Sequence, residues 1–428
     1  MTSHPAPLAA SRPGPLVAGG PADLLALVPY RLGFHPADSV LLVELRRADP
    51  VTGRRTVGLL VRGDLPPAEG GRVDPAAARV AAEACLRLVR RSVRAGSEVL
   101  VVLYDSAARA TGTALEPGPA AGAVLDAVRS GWRSGRRSGR GPGRGADGPR
   151  LGDQLLVGAG RWRTLSCAGP CCPAAGEPFG DEAVVGSRRA GSALRLQAEA
   201  VWRGFAAAPD RAASLPVLAP ADPDRCAAAA ASRREPVTPA QARALVGAFD
   251  RAVEEGLQGA VGGGLPGVPA SSPVDDAAWC GRLLRALDRL EVRDAVLLSG
   301  CRGPSTAPAR RHLLRPPGAA GSPVGAVDVG RALSGERDPA RAAAAAELAV
   351  RVARCGGTGG AAEAWAVAAW LEWTAGRSVR AGACAEQALR EDPDHRLAVL
   401  VDHAVRRGLG PAGESGAEFR AEVGAAPG

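Results

Sequence analysis

The stretch Glu98-Val99-Leu100-Val101-Val102-Leu103-Tyr104-Asp105 carries the clearest β-strand signal in this chain of 428 residues. Its apolar residues are continuous rather than alternating, which is typical of a strand buried on both faces of a sheet. The stretch therefore predicts an α/β fold, in which helices cover such a sheet.

The elements on either side of this strand fit the same fold. A helix is predicted to begin at Asp74-Pro75, an acidic N-cap followed by Pro, and to end at Gly96. An earlier helix begins at Pro21, and Pro29 is predicted to end it. The remaining predicted elements are strands at 38–45, 56–65, 155–157 and 161–166 and a helix at 120–132. Together they predict an α/β domain over residues 21–180, with a mixed sheet and flanking helices.

Beyond residue 180 the apolar pattern becomes helical. The predicted helices are 183–206, 239–258, 275–299, 339–354, 361–375, 378–391 and 395–407. Breaks rich in Pro and Gly are expected near 210–238, 260–274 and 303–338. The pattern predicts an all-α domain over 181–410, between a disordered N-terminus (1–20) and a disordered tail (411–428).

The last of these helices have a possible repeat character. The residues Trp365, Ala369, Ala381, Ala388 and Pro393 fall where a tetratricopeptide hairpin has its Trp, its small residues and its closing Pro. Glu372 and Ala385 stand where that repeat prefers aromatic residues. The segment is either a tetratricopeptide-like hairpin or an ordinary pair of antiparallel helices.

The composition locates the charge. The chain has no Lys, Ile or Asn, so all 53 basic residues are Arg, which indicates a GC-rich genome. Residues 129–150 contain seven Arg and one Asp, which is most of the formal charge of +9. Within them, 133–150 is almost free of apolar residues and predicts a disordered loop. We interpret the loop as a solvated linker; the alternative is non-specific nucleic-acid binding through phosphates.

Nothing in the sequence resembles an export signal or a membrane span of about 18 apolar residues. The nine Cys are then expected to be thiols or metal ligands rather than disulfides. A cytoplasmic location is expected.

The first candidate site is the turn from Pro29 to Val40. It brings His35, Asp38, Ser39, Arg31 and Tyr30 together before a strand. His35 has the chemistry of a base, a ligand or a proton donor. The alternative is structural, with Asp38 and Ser39 forming a turn and His35 bonded to a nearby carbonyl.

The second candidate site is the loop from Cys167 to Pro173. Its three thiols, Cys167, Cys171 and Cys172, are suited to zinc if a fourth ligand comes from elsewhere. No second pair of ligands is apparent, and adjacent cysteines point in different directions, so a packed loop is the alternative. The other Cys are scattered along helical apolar faces, where small core residues are typical.

These two segments carry a family resemblance. The motifs are Pro29-Tyr30, Leu32-Gly33-Phe34-His35-Pro36, Asp38-Ser39-Val40, Gly160-Arg161-Trp162, Cys167, Cys171-Cys172-Pro173 and Gly176. In this order they resemble the actinobacterial domain-of-unknown-function family 4192, and Asp392-Pro393-Asp394-His395 extends the likeness to about residue 411. The resemblance implies no established activity, catalytic residue or cofactor.

Three functional hypotheses follow from the sequence. The first is a non-catalytic binding or regulatory protein whose C-terminal helices offer a surface to a protein partner. The second is an enzyme or metalloprotein, with zinc as the candidate cofactor, whose site joins the His35 turn to the Cys167–Cys172 loop. The third is a nucleic-acid binder that uses the Arg loop.

Overall fold

The computed structural model describes residues 16–111, 113–137, 148–167, 169, 172–179, 188–202, 207–261, 273–315, 338–407 and 422–423. The chain divides into two compact units. The sheet unit contains Met1–Arg31, Pro36–Arg203 and Gly416–Gly428, and the helical unit contains Leu32–His35 and Gly204–Ser415. The predicted fold class is confirmed, because a mixed sheet with flanking helices is followed by an all-helical region.

The sheet unit is built on a mixed sheet. Its strands are β1 Val17–Ala18, β2 Ser39–Leu45, β3 Arg55–Asp64, β4 Glu98–Tyr104, β7 Arg150–Gly158, β8 Arg161–Thr164, β9 Glu177–Pro178 and β10 Glu422–Val423. A separate hairpin pairs β5 (Arg109–Thr111) with β6 (Ala114–Glu116), which the sequence analysis missed. Across the sheet the order is β1-β10-β3-β2-β4-β7-β8-β9. The strand β4, which carries the clearest strand signal in the sequence, is thus an interior strand, antiparallel to β2 and parallel to β7.

The helices of the sheet unit are α1 Pro21–Leu32, α2 Pro75–Ser92, α3 Pro119–Arg137 and α4 Arg188–Trp202. Asp74 caps α2 as predicted, because its carboxylate accepts from Ala76 N at 2.8 Å. The helices α2 and α3 share one buried cluster with apolar residues of β2, β3, β4 and β7.

Two boundaries in this unit were predicted wrongly. The helix α3 continues to Arg137, and β7 begins at Arg150, so the loop predicted at 133–150 is shorter. Composition misled here, since the exposed side of a helix tolerates Ser and Arg once its other side is anchored. Residues 138–147 lie outside the described part.

Pro29 does not end α1, which runs on to Leu32. A proline inside a helix leaves the carbonyl four residues earlier without its N–H donor. That carbonyl belongs to Leu25, and the buried Tyr104 hydroxyl donates to it at 3.5 Å. The tertiary contact replaces the lost helical bond, so α1 tolerates Pro29.

The helical unit contains ten helices in its described residues. They are α5 Arg211–Ser214, α6 Pro223–Arg233, α7 Pro239–Val261, α8 Ala277–Leu287, α9 Leu290–Arg302, α10 Ala307–Leu313, α11 Pro339–Cys355, α12 Ala362–Thr374, α13 Ser378–Glu391 and α14 Arg396–Arg406. One apolar cluster, rich in Ala, joins α6 to α9 with α11 to α14. The run Ala295–Ser299 lies within α9.

Several helix boundaries in this unit also differ from the prediction. The expected helix at 275–299 is interrupted at Asp288, so the structure has two helices, α8 and α9, in its place. The Asp288 carboxylate accepts from Arg233 and Arg285. The helices α5 and α6 occupy the break expected at 210–238, and α10 occupies the start of that expected at 303–338. The α6 signal was present, because Asp222-Pro223 repeats the cap of α2 and Asp222 accepts from Arg225 N at 2.9 Å. An Ala-rich helix lacks the apolar stripe that would have revealed it.

Candidate functional site

The residues of the predicted His35 turn are divided between the two units. Tyr30 and Arg31 belong to the sheet unit, in the last turn of α1, and burial raises the pKa of the Tyr30 phenol. His35 belongs to the helical unit, where its backbone N–H donates to Ala208 O at 2.9 Å while its side chain is exposed. The catalytic or ligand role of His35 stays a prediction.

Asp38 and Ser39 make local bonds at the edge of the sheet. The Asp38 carboxylate accepts from Ser106 N at 3.0 Å and from Ser106 Oγ at 2.7 Å, which ties the start of β2 to the end of β4. Asp38 does this at φ 41°, in the left-handed region that non-glycine residues rarely adopt. Ser39 is buried, and its hydroxyl donates to Ala37 O at 2.5 Å. These bonds account for both residues as parts of a turn.

The loop that carries the predicted zinc ligands is held by arginines. Gly169 N donates to Cys167 Sγ at 3.4 Å, and Cys172 N donates to Gly169 O at 3.0 Å. On the far side of the loop, Arg161 donates to the Ala175 and Gly176 carbonyls at 2.7 Å, and Arg163 donates to the Ala174 carbonyl at 2.9 Å.

Cys171 lies outside the described residues. Within the described part of the chain, no group of three or more His, Cys, Asp or Glu is arranged to hold a metal ion. The zinc hypothesis therefore stays a prediction.

The described end of the Arg-rich segment is engaged within the sheet unit. Arg129 donates through Nε to Gln154 Oε1 at 2.9 Å, and Trp132 is buried among the residues of α2 and α3. Arg133, Arg136 and Arg137 lie on α3 and Arg150 begins β7, whereas Arg140 and Arg144 lie outside the described residues.

A groove of about 590 Å³ lies between α2 and α3. Small residues such as Ala78 and Ala127 line it, together with the charged side chains Arg79, Glu83 and Asp126. No residue of the His35 turn or of the Cys167–Cys172 loop lines this groove. The hydroxyl of Ser134, one of the lining residues, donates to the Ser130 carbonyl at 3.0 Å.

The helical unit brings together three cysteines that the sequence analysis treated as scattered. Cys226 lies on α6, Cys280 on α8 and Cys355 at the end of α11. The Cys280 and Cys355 thiols are hydrogen-bonded to each other, and Arg225 Nε donates to Cys355 Sγ at 3.2 Å. Cys226 Sγ lies 3.5 Å from the Arg354 carbonyl oxygen. We name Arg225, Cys226, Cys280 and Cys355 the thiol cluster.

Within the thiol cluster, the pKa of Cys355 is lowered and the pKa values of Cys280 and Cys226 are raised. The hydrogen bond from Cys280 and the charge of Arg225 lower the pKa of Cys355 to about 6. The same hydrogen bond, together with burial, raises the pKa of Cys280, and burial raises the pKa of Cys226. The lowered pKa makes Cys355 the more reactive thiol of the pair, because a cysteine reacts as its thiolate.

The helix α14 exposes two adjacent apolar side chains. Leu397, Ala398 and Val401 are the buried residues of α14, which packs on α12 and α13. On its outer side Val399 is 46% exposed and Leu400 is 63% exposed. Sequence periodicity locates a buried stripe but does not show which other side of the helix is exposed among the described residues.

The comparisons with known proteins identify a family. The family model described as "Domain of unknown function (DUF4192)" matches residues 21–315 and 332–412. The match covers most of the chain and both units, so the protein belongs to this family, as its motifs indicated. Neither a curated protein nor a solved structure matches the chain. No described helix has both the length and the apolar character needed to cross a membrane.

Proposed function

We propose that the protein is a non-catalytic, cytoplasmic binding protein that recognises a protein partner through α14. The exposed apolar pair Val399 and Leu400 carries this proposal. Adjacent exposed apolar residues on an outer helix are a common feature of protein interaction sites.

The repeat-like packing of α12 and α13 supports the proposal. The residues at the tetratricopeptide positions Trp365, Ala369, Ala381 and Ala388 are all buried. Glu372, which replaces an aromatic residue of that repeat, is also buried and accepts from Arg380 Nε at 2.6 Å. In stacked helical repeats each hairpin covers the face of its neighbour. The outer side of α14 is therefore the side on which a further element would dock.

The charges around the apolar pair favour an acidic partner. Arg396 is exposed on α14 four residues before Leu400, which places its charge on the same side of the helix. The surface therefore fits an amphipathic helix that has apolar anchors flanked by Asp or Glu. Charge complementarity of this kind makes binding weaken as salt increases.

The test compares two matched substitutions. Leu400→Asp places a charge within the surface, whereas Leu290→Asp places one at an equally exposed leucine at the start of α9, 62% against 63% exposed. Proteins captured by the full chain and by Leu290→Asp, but not by Leu400→Asp, are purified and titrated by calorimetry. We expect Leu400→Asp to weaken binding at least about tenfold.

Two results would overturn the proposal. The first is that Leu400→Asp binds every purified candidate as tightly as the unaltered chain does. The second is that light scattering shows a dimer that Leu400→Asp converts to a monomer, which would assign the surface to a second copy of this chain.

A further inference from the structure

We propose that Cys280 and Cys355 form a redox-active dithiol, which a peroxide converts to a disulfide and a thiol reductant restores. This inference concerns the thiol cluster and is independent of the proposed partner surface on α14. Three observations carry it: the pairing of the two thiols, the hydrogen bonds of the Arg225 guanidinium and the way in which α6 covers them.

The first observation is that the two sulfurs are direct partners. Cys280 and Cys355 come from different helices and are separated by 74 intervening residues, yet their thiols share a hydrogen bond. Two thiols in contact are able to form a disulfide without first finding each other through chain motion. Cys384, although also completely buried in the helical unit, lies instead near the carboxylate of Glu372.

The second observation is that the Arg225 guanidinium is hydrogen-bonded to both sulfurs, with Cys355 as the stronger partner. Its Nε donates to Cys355 Sγ at 3.2 Å, and its Nη1 donates to the Asp275 carbonyl at 3.1 Å. A guanidinium gains a charge-assisted hydrogen bond from a thiolate and little from a neutral thiol. In its neutral form the Cys355 thiol donates to the Arg351 carbonyl oxygen at 3.4 Å.

The third observation concerns the cover over the sulfurs. Cys280 and Cys355 are 0% and 1% exposed, whereas Arg225 on α6 is only half-buried. The helix α6 approaches α8 so closely that a Cβ on Gly281 would lie 2.0 Å from the Ala229 carbonyl oxygen. A small oxidant such as hydrogen peroxide needs only a local opening of this short helix to reach Cys355.

The chemistry balances with hydrogen peroxide as the oxidant. The Cys355 thiolate attacks one peroxide oxygen, an S–O bond forms, the O–O bond breaks, and the departing hydroxide takes up a proton to become water. The Cys280 sulfur then attacks the sulfenic sulfur, an S–S bond forms, and the S–O bond breaks. The second hydroxide leaves with the Cys280 proton as water. The two thiols supply the two electrons that reduce one peroxide to two waters.

The test uses the full chain without substitution. The protein is treated with one equivalent of hydrogen peroxide at pH 7, its remaining thiols are alkylated under denaturing conditions, and its peptides are identified by mass spectrometry. We expect a Cys280–Cys355 link that dithiothreitol removes, while Cys384 stays reduced. In native protein, we expect iodoacetamide to modify Cys355 faster than Cys384, with a rate that rises through pH 6 rather than pH 9.

Two variants give independent readouts. Cys280→Ser removes the second thiol, so peroxide should leave a sulfenic acid on Cys355 that dimedone traps. Arg225→Gln removes the charge and should slow Cys355 oxidation about tenfold at pH 7, because the thiolate fraction falls. The proposal is overturned if peroxide links other cysteines, if Cys280 and Cys355 stay reduced, or if Cys355 reacts no faster than Cys384.

Discussion

The sheet unit and the helical unit bury carboxylates with different partners. In the sheet unit Glu44 is 2% exposed, and it accepts from Leu59 N at 2.9 Å, Arg94 N at 3.0 Å and Ser97 Oγ at 2.8 Å. In the helical unit Glu372 is 0% exposed, and it accepts from Arg380 Nε at 2.6 Å. Backbone amides bind the buried acid in one unit, and a guanidinium does so in the other.

The backbone explains this difference. Strand ends, turns and bulges leave N–H groups without a ladder partner, and β3 has a bulge opposite Glu44 that leaves Leu59 N available. Gly58 fits there because any Cβ would meet the Glu44 carboxylate. Inside a helix almost every N–H is already bonded to the carbonyl four residues earlier, so a buried acid between helices needs a cationic side chain.

The largest expected effect is in the helical unit. Arg341 donates at 2.5 Å to both Asp250 and Glu254 and at 2.7 Å to the Ser299 carbonyl, which joins α11 to α7 and α9. We expect Arg341→Met to lower the free energy of unfolding by about 3 kcal/mol, at the low end for a buried pair because both acids are partly exposed. Denaturant unfolding followed by hydrogen exchange in α7 and α11 measures the loss.

The matched control for this change is Arg406→Met. Arg406 also pairs with a carboxylate, Asp402, at 2.7 Å, but its side chain is 66% exposed. Its loss should change stability by no more than about 0.5 kcal/mol. If both variants lose the same amount, the Arg341 network does not hold the helices together.

A smaller effect is expected at Glu44 in the sheet unit. Glu44→Gln keeps the size of the side chain but turns an amide group toward N–H donors, so we expect a loss of about 2 kcal/mol. Protection of strand amides in β2 and β3 should fall, while that of helices in the helical unit should not. Glu83→Gln, at a half-exposed acid paired with Arg90, is the control and should lose less than about 0.5 kcal/mol. Equal losses would contradict the backbone-amide argument.

The smallest expected effect is a gain at Ala159. Among the described residues, the non-glycine positions with positive φ are Asp38 and Ala159, both in the sheet unit. Ala159 has φ 48° in the turn between β7 and β8, and we expect Ala159→Gly to stabilise the protein by about 0.5 kcal/mol by relieving this strain. Ala175→Gly, at an ordinary φ, should lower the denaturation midpoint. A loss of stability in Ala159→Gly would refute the presence of strain.

Local signals predicted the elements that depend on neighbouring residues. The strand Glu98–Tyr104 and the capped start of α2 were predicted because an apolar run and an Asp-Pro cap act within a few residues. The same logic failed at Pro29, where a hydroxyl 79 residues away satisfies the carbonyl that the proline leaves free. It also missed α6, because Ala residues bury against neighbours without forming a visible stripe.

The candidate sites show the same limit. The residues around His35 and Cys167 drew attention because they are close in sequence, and the bonds of Asp38 and Ser39 account for those two residues as turn formers. The thiol cluster was missed because its cysteines lie on three helices with ordinary core spacing. The available signal was the doublet Arg225-Cys226, which begins three residues after the helix cap Asp222. The doublet does not show which distant sulfur the guanidinium contacts.

The sequence by itself determined the fold class, the family and most strands and helices, because hydrophobic periodicity and helix caps act over short distances along the chain. Only the tertiary structure decided that Cys280 meets Cys355 and that Glu44 takes its donors from a bulge and a turn. It also decided that Val399 and Leu400 remain uncovered. Each of these depends on which elements pack together, and packing joins residues whose separation along the chain carries no information about their distance.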